Sequence, residues 1–232
     1  MKIIFFSDIH GNNYAFDSFK ADIKNIDYDL MIFGGDIFGY YYGADQILQY
    51  LMKNDIICLL GNHEQMFLDL VDGKLDLSYL VSRYGNTYRQ LMLTISKEEI
   101  DFLRKLSSFY TLHVDNLVLK FAHGSNTDTL DGRIYPDCTN LSVDDYKGID
   151  FFFSCHTHHK MTKKIGDCTI FNPGSLGQQR DGKGCTYIIF DTESKNVLWR
   201  EVFFDKDRIV KDIDLFEESD EMKNKLKEVL FR

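Results

Sequence analysis

Short apolar runs in this chain end repeatedly in aspartate, asparagine or histidine. The pattern occurs in six segments, at residues 8–10 (Asp-Ile-His), 35–36 (Gly-Asp), 61–64 (Gly-Asn-His-Glu), 123–124 (His-Gly), 156–158 (His-Thr-His) and 172–175 (Asn-Pro-Gly-Ser). Five of the seven histidines lie in these segments. Because the apolar runs are typical of buried strands, each polar group falls where a strand passes into a loop. Ligands of α/β sheets bind beyond the carboxyl ends of strands, so the pattern predicts one polar site built by several loops.

The first part of the sequence alternates between strand and helix patterns. Apolar runs at residues 2–7, 29–33 and 55–60 predict strands covered on both faces. Apolar residues at helical spacing predict helices near 14–26 and 43–53 between them. This order predicts parallel strands joined by helical crossovers, and therefore an α/β fold.

The pattern changes after residue 64. Residues 64–107 are predicted to be mostly helical, with a capping box that begins at Ser96. The following β-rich half predicts a second sheet stacked on the first, with a two-residue hairpin turn at Asp115 and Asn116. Its predicted strands are residues 109–114, 117–122, 151–154, 163–165, 168–171, 185–191 and 197–204. Residues 218–231 predict a charged C-terminal helix.

Length and composition favour one domain over residues 1–232. Hydrophobic residues make up 44% of the chain, as in compact globular proteins, yet no uncharged apolar run approaches the ~18 residues of a membrane span. The apolar stretch after Met1 is too short for a signal peptide. A net charge of −9 argues against an extended nucleic-acid surface. Five cysteines without C-x-x-C spacing predict neither a disulfide framework nor a cysteine zinc site, which indicates a cytoplasmic protein.

The polar segments supply ligand types that suit divalent cations. Carboxylate and amide oxygens with imidazole nitrogens, and no thiolate, suit ions such as Mn²⁺, Fe²⁺, Zn²⁺ or Mg²⁺. The seven potential donors are Asp8, His10, Asp36, Asn62, His123, His156 and His158. Seven donors are too many for one tetrahedral ion and fit two ions that share a bridging carboxylate. A pair of ions about 3.5–4 Å apart activates water for in-line displacement at phosphorus. Two ions, two carboxylates and one hydroxide sum to roughly +1, so the site predicts an anionic phosphoester substrate.

The ordered motifs resemble the calcineurin-like metallophosphoesterase superfamily over residues 5 to about 180. Residues 35–40 and 172–182 look like the small bacterial and archaeal phosphodiesterase branch of that superfamily. The resemblance implies a four-layer α/β/β/α sandwich of two stacked mixed sheets flanked by helices. It also implies two divalent ions, with Mn²⁺ as the first choice and Fe²⁺, Zn²⁺, Mg²⁺, Ni²⁺ or Co²⁺ as alternatives.

The resemblance assigns a role to each candidate residue. Asp8, His10 and His158 would bind one ion. Asn62, His123 and His156 would bind the other, and Asp36 would bridge the two. His63 would protonate the leaving alkoxide or stabilise charge on the phosphoryl oxygens, while a metal-bridging hydroxide attacks phosphorus without a covalent phosphoenzyme.

Four residues are candidates for contacts with the substrate. Asn62 lies in the metal motif, and Ser175 and Arg180 lie where a backbone turn and a guanidinium could hold phosphate. Tyr40 begins a tyrosine run at 40–42, where the resembled branch tends to continue with Gly-Pro. The run could stack on a nucleobase, or it could pack the loop onto the following helix.

A cysteine also departs from the resembled pattern. Cys155 stands where the superfamily usually has glycine. If that position needs a positive φ, cysteine costs about 1–2 kcal/mol.

These features predict a metal-dependent phosphodiesterase that acts on a small phosphorylated substrate. One alternative is a dinucleoside polyphosphate (Ap4A-type) hydrolase, in which the tyrosine run and Arg180 contact a base and the additional phosphates. Another is a non-catalytic metal-binding interaction scaffold, as in a retromer subunit that shares this fold. A scaffold is expected to lack ligands or the acid, whereas this sequence keeps His63 and all seven donors. A nucleotide substrate stays open, as does the choice between monomer and homo-oligomer.

Overall fold

The computed structural model describes residues 1–182 and 184–231. The strands are β1 (Lys2–Phe6), β2 (Leu30–Phe33), β3 (Ile57–Cys58), β4 (Phe109–Val114), β5 (Leu117–Ala122), β6 (Phe151–Phe153), β7 (Met161–Ile165), β8 (Cys168–Asn172), β9 (Cys185–Asp191) and β10 (Asn196–Val202). The helices are α1 (Asn13–Ile23), α2 (Ala44–Lys53), α3 (Asn62–Val71), α4 (Leu77–Tyr84), α5 (Thr87–Thr94), α6 (Lys97–Leu103), α7 (Lys206–Leu215) and α8 (Asp220–Leu230). Across the described residues, no helix has both the length and the apolar character to cross a membrane.

The strands form two mixed sheets of five strands each. The first has the order β10-β9-β1-β2-β3, with β1, β2 and β3 parallel as predicted. The second has the order β4-β5-β6-β8-β7, in which β5, β6 and β8 are parallel. The prediction that all later strands join the second sheet is wrong, because β9 and β10 belong to the first. By pairing with β1, β9 satisfies backbone groups that would otherwise form an open sheet edge.

An aromatic core holds the two sheets together. The ring of Phe5 on β1 lies 5.3 Å from Phe121 on β5 and 5.6 Å from Phe153 on β6. Helices cover the other face of the first sheet, where Phe6 packs against Phe19 of α1. The outer face of the second sheet is covered by the β5–β6 connection, which contains a 3₁₀ turn at Asp144–Tyr146 and no long helix. The predicted α/β fold with two stacked mixed sheets is confirmed.

Local sequence signals were accurate within single elements. The hairpin residues Asp115 and Asn116 both have positive φ, as a two-residue turn requires. Ser96 accepts a hydrogen bond from the Glu99 amide, and the Glu99 carboxylate accepts one from the Ser96 amide, which completes the predicted capping box.

Two helices at the C-terminal end pack onto the tyrosine run. α8 was predicted, whereas the sequence analysis missed α7. Tyr41 is buried among apolar residues of both helices, and the ring of Tyr42 stacks on Phe216 with centroids 3.6 Å apart. Tyr41 and Tyr42 therefore pack against the C-terminal helices and the segment between them.

Candidate metal centre

Both sheets direct their candidate ligands to the same place. Asp8 and His10 follow β1, Asp36 follows β2, and Asn62 is the first residue of α3. His123 directly follows β5, and His156 and His158 follow β6. Each of these strands is parallel to a neighbour in its own sheet, so within each sheet their carboxyl ends lie at the same edge. The predicted convergence of distant loops is what the fold produces.

The backbone at these positions is unusual. Asp8, His10, Asp36, His156 and His158 all have φ between 51° and 66°, the left-handed region that non-glycine residues seldom occupy. Such conformations cost free energy and persist where surrounding structure imposes them, most often at functional sites. The fold therefore accepts local strain to orient this set of side chains.

The ionisable candidates form two groups that share one carboxylate. Asp8, His10, Asp36 and His158 offer ligand atoms that all lie within 4.8 Å of one another. Asp36, His123 and His156 form a second such group. The side-chain oxygen Oδ1 of Asn62 lies 3.0 Å from His123 Nε2, which adds the predicted amide ligand to the second group. All seven predicted donors are brought together, and Asp36 belongs to both groups.

Hydrogen bonds orient the imidazoles toward one another. The Nδ1 atoms of His10, His123 and His158 lie 2.8, 2.8 and 2.6 Å from the carbonyl oxygens of Phe38, Gly34 and Gln178. A carbonyl only accepts, so each Nδ1 carries a proton, and in a neutral ring Nε2 then presents a lone pair. His10 Nε2 and His158 Nε2 are nevertheless only 3.0 Å apart. Two facing lone pairs at this distance are stabilised by a cation between them.

The carboxylates and ring charges fit cations as well. Burial lowers the pKa of His10 and His158 well below the ordinary value, which keeps both rings in the neutral form that binds metal. Burial raises the pKa of Asp8, whose Oδ1 is fully buried without a hydrogen-bond partner. Burial acts against charge on His123, but the Asp36 carboxylate outweighs it and raises the His123 pKa to about 10. An orphaned carboxylate oxygen beside the neutral imidazoles of His10 and His158 is a donor set that a divalent ion completes.

Glu64 has a larger role than its sequence context indicated. An acidic residue near a helix start is explained by the helix dipole alone. In the structure Glu64 is fully buried, and its carboxylate accepts hydrogen bonds from the amides of Asp36, Ile37 and Phe38. These bonds fix the turn that carries Asp36.

The assignment of Ser175 to substrate binding is not supported by its position. Ser175 is fully buried, and its hydroxyl donates to the Asp8 carbonyl at 2.6 Å and accepts from the Gln178 amide at 2.7 Å. Asn172 in the same loop donates to the Cys155 carbonyl at 2.9 Å. The 172–178 loop therefore links the loops that follow β1 and β6, because its side chains hydrogen-bond to backbone carbonyls of both.

Cys155 carries no backbone strain. It is not among the residues with positive φ, so the cost expected for a replaced glycine does not arise. Its side chain is buried beside Gly34, where an added Cβ would lie 2.4 Å from the Cys155 sulfur. Burial raises the pKa of this thiol well above its ordinary value. The cysteine fills space between the sheets as a neutral group.

His63 lies beside the two groups without belonging to either. Its ring is centred 4.7 Å from that of His10, and its Nδ1 lies 2.8 Å from the hydroxyl of the buried Tyr88. The Tyr88 hydroxyl also donates to the His63 carbonyl oxygen at 3.3 Å, so it accepts from Nδ1–H. The imidazolium form of His63 can then give its Nε2 proton to a leaving group and return to the neutral Nδ1–H ring. The sequence analysis missed Tyr88, since nothing near residue 88 indicates a partner in α3.

We predict that Tyr88→Phe lowers turnover by about tenfold for phosphodiesters with alkyl leaving groups, because orienting partners of catalytic side chains have effects of this size. The decrease should be much smaller for a 4-nitrophenyl ester, whose leaving group needs no proton. The measurement is kcat for both substrates. In a His63→Ala background the same substitution should have no further effect, and an additive loss would contradict the role given to Tyr88.

A cavity of about 310 Å³ opens above the candidate ligands. Asn62, Arg180 and Tyr40 line it, as predicted for substrate contacts, and an Arg180 nitrogen donates to the Tyr40 hydroxyl at 3.1 Å. The structure adds lining residues that the sequence analysis missed, namely Arg83, Tyr84, Arg133 and Lys225. Apart from Asp36, the described residues that line this cavity include no carboxylate. The cavity is therefore suited to anions.

Comparison with known proteins agrees with this geometry. The family model of the calcineurin-like phosphoesterase superfamily domain matches residues 1–195. The uncharacterized protein MJ0912 of Methanocaldococcus jannaschii is 27% identical over 204 residues, which cover 80% of each chain. A metallophosphoesterase from Sphaerobacter thermophilus has the same fold with a TM-score of 0.74 at 20% identity, covering 97% of this chain and 98% of that one. The hypothetical protein PH1004 from Pyrococcus horikoshii OT3 matches with a TM-score of 0.78 at 18% identity and 97% coverage of both chains.

Proposed function

The chain belongs to the calcineurin-like phosphoesterase superfamily, and from that premise we propose that it is a binuclear metal-dependent phosphodiester hydrolase. The observation that carries the proposal is the pair of ligand groups that share Asp36 beneath a cation-lined cavity. In the proposal Asp8, His10 and His158 hold one ion, Asn62, His123 and His156 hold the other, and Asp36 belongs to both. Mn²⁺ remains the first choice of ion. Mixed oxygen and nitrogen donors also accept other divalent ions.

The chain's own residues would divide the remaining work. When bound, two divalent ions supply Lewis-acid activation of water and of the phosphoryl oxygens. Arg180 lies at the side of the cavity, where its guanidinium can pair with a phosphoryl oxygen. His63, oriented by Tyr88, donates a proton toward the leaving oxygen. Tyr40 contacts both, since its hydroxyl accepts from Arg180 and its ring is centred 5.7 Å from that of His63.

Two other functions are compatible with this fold. A solved archaeal phosphodiesterase and a candidate diadenosine tetraphosphatase share the fold, so each names a reaction to test. The additional cations of the cavity favour the polyphosphate reaction as the second candidate. A non-catalytic scaffold has no need for a buried tyrosine that orients His63, and this contact argues for catalysis. A small phosphorylated substrate and a cytoplasmic location complete the proposal.

We expect the purified protein to hydrolyse bis(4-nitrophenyl) phosphate in the presence of Mn²⁺ and to prefer it to the monoester 4-nitrophenyl phosphate. Chelation should abolish the activity and added Mn²⁺ should restore it, because the proposed reaction needs bound ions to activate water. Release of 4-nitrophenolate measures both rates. Absence of hydrolysis with Mn²⁺, Fe²⁺, Zn²⁺, Mg²⁺, Ni²⁺ and Co²⁺ would refute the proposal, and preference for the monoester would refute its diester part.

A further inference from the structure

The cations of the cavity come from two different parts of the fold. Arg133 and Arg180 lie close to the candidate ligands, and Arg133 Nε donates to His156 Nε2 at 3.0 Å. Arg83 and Lys225 come from α4 and α8 and lie on the helical side. Lys225 Nζ donates to the Arg83 carbonyl oxygen at 2.8 Å, which brings the two residues together across the gap between these helices.

The charge of this cavity differs from that of the whole protein. The net charge of the chain is −9, yet four cationic side chains and one carboxylate line the cavity. A phosphodiester carries a single negative charge, for which the ligand groups with Arg133 and Arg180 already provide partners. Arg83 and Lys225 add two more cationic side chains to the lining, and a second anionic group of the substrate could pair with them.

The packing of α8 fixes the position of Lys225. The neighbouring Leu226 is buried against Tyr41, and Glu218, just before α8, accepts a hydrogen bond from the Tyr42 hydroxyl. α8, which carries Lys225, lies beyond residues 1–195, the part that matches the family model, whereas α4 lies within it.

Building on the proposed function, we infer that Arg83 and Lys225 form a second phosphate subsite. The preferred substrates would then be phosphoesters that carry at least one phosphate group besides the scissile one, as nucleoside polyphosphates do. The scissile phosphate lies over the ligand groups, and the next phosphate along the substrate reaches the α4–α8 wall. Arg83 and Lys225 thereby determine specificity without taking part in bond cleavage.

The first test is a substrate comparison. Arg83→Met and Lys225→Met should each lower kcat/KM for diadenosine tetraphosphate, relative to kcat/KM for bis(4-nitrophenyl) phosphate, by about tenfold, the size expected for one lost charged hydrogen bond. The matched control is Lys211→Met, an exposed lysine of α7 that does not line the cavity, which should leave the ratio unchanged. A ratio that is unchanged in both cavity variants would overturn the subsite.

A second test separates this inference from the proposed function, because it needs no turnover. Calorimetry on Mn²⁺-loaded protein compares binding of pyrophosphate and orthophosphate. We expect pyrophosphate to bind at least about tenfold more tightly, and the Arg83→Met/Lys225→Met double variant to lose that difference. If the wild-type protein binds both anions equally, the subsite is wrong even if the enzyme is active. If the difference is present and depends on the two residues while no ester is hydrolysed, the subsite stands and the proposed hydrolase function fails.

Discussion

Asp36→Asn should reduce the bound metal from two ions per chain to one or none and lower phosphodiesterase activity by at least about 10³-fold, the upper range for loss of one electrostatic group in an active site. Asp36 is the only carboxylate shared by both ligand groups. Asparagine keeps the size of the side chain and an oxygen that can accept the bond now made by the His63 amide, which Asp36 Oδ1 accepts at 3.0 Å. The loss would therefore report on charge and bridging. Elemental analysis after gel filtration measures the metal, independently of activity.

The matched control for this variant is Asp27→Asn. Asp27 is exposed between α1 and β2, so its replacement changes the net charge equally without touching the cavity. It should keep both ions and full activity. Two ions per chain in Asp36→Asn, with an unchanged increase of Tm on adding Mn²⁺, would show that Asp36 does not bridge. Failure of the wild-type protein to retain any ion would remove the binuclear site itself.

His63→Ala should keep both ions and lose turnover by about 10²–10⁴ for phosphodiesters with alkyl leaving groups, the range for removal of a general acid. His63 is absent from both ligand groups, and its Nδ1 is engaged by Tyr88. The loss should shrink with 4-nitrophenolate, because a weakly basic leaving group departs without a proton. The measurement is kcat across a series of leaving groups, with metal content determined on the same samples.

His113→Ala supplies the control for this experiment. His113 is exposed on β4 and does not line the cavity, so its removal deletes an imidazole without changing the cavity lining. It should not alter kcat for any leaving group. A His63→Ala enzyme with unchanged kcat for alkyl esters would contradict the acid role. Equal losses for all leaving groups would indicate charge stabilisation at the phosphoryl oxygens instead of proton donation.

The sequence predicted the candidate ligands better than the residues around them. Asp8, His10 and Asp36 follow strands whose apolar pattern is local and strong, so their positions at strand ends could be predicted. The sequence around Ser175 did not indicate its contact with the Asp8 carbonyl, because a turn sequence does not reveal whether its hydroxyl faces solvent or a backbone carbonyl. Tyr88 was missed because its contact with His63 joins two helices and leaves no trace in the local pattern.

The chain's own residues determined which chemistry is available and where most strands and helices lie, because periodicity, turn signals and donor types act over a few neighbouring residues. Only the tertiary structure decided that β9 and β10 complete the first sheet and that Lys225 meets Arg83, a residue 142 positions earlier in the chain. Such contacts depend on how whole elements pack and satisfy sheet edges, which no short stretch of sequence encodes. The ligand groups were therefore predictable from motifs, whereas the cationic wall that would select a substrate emerged from the fold.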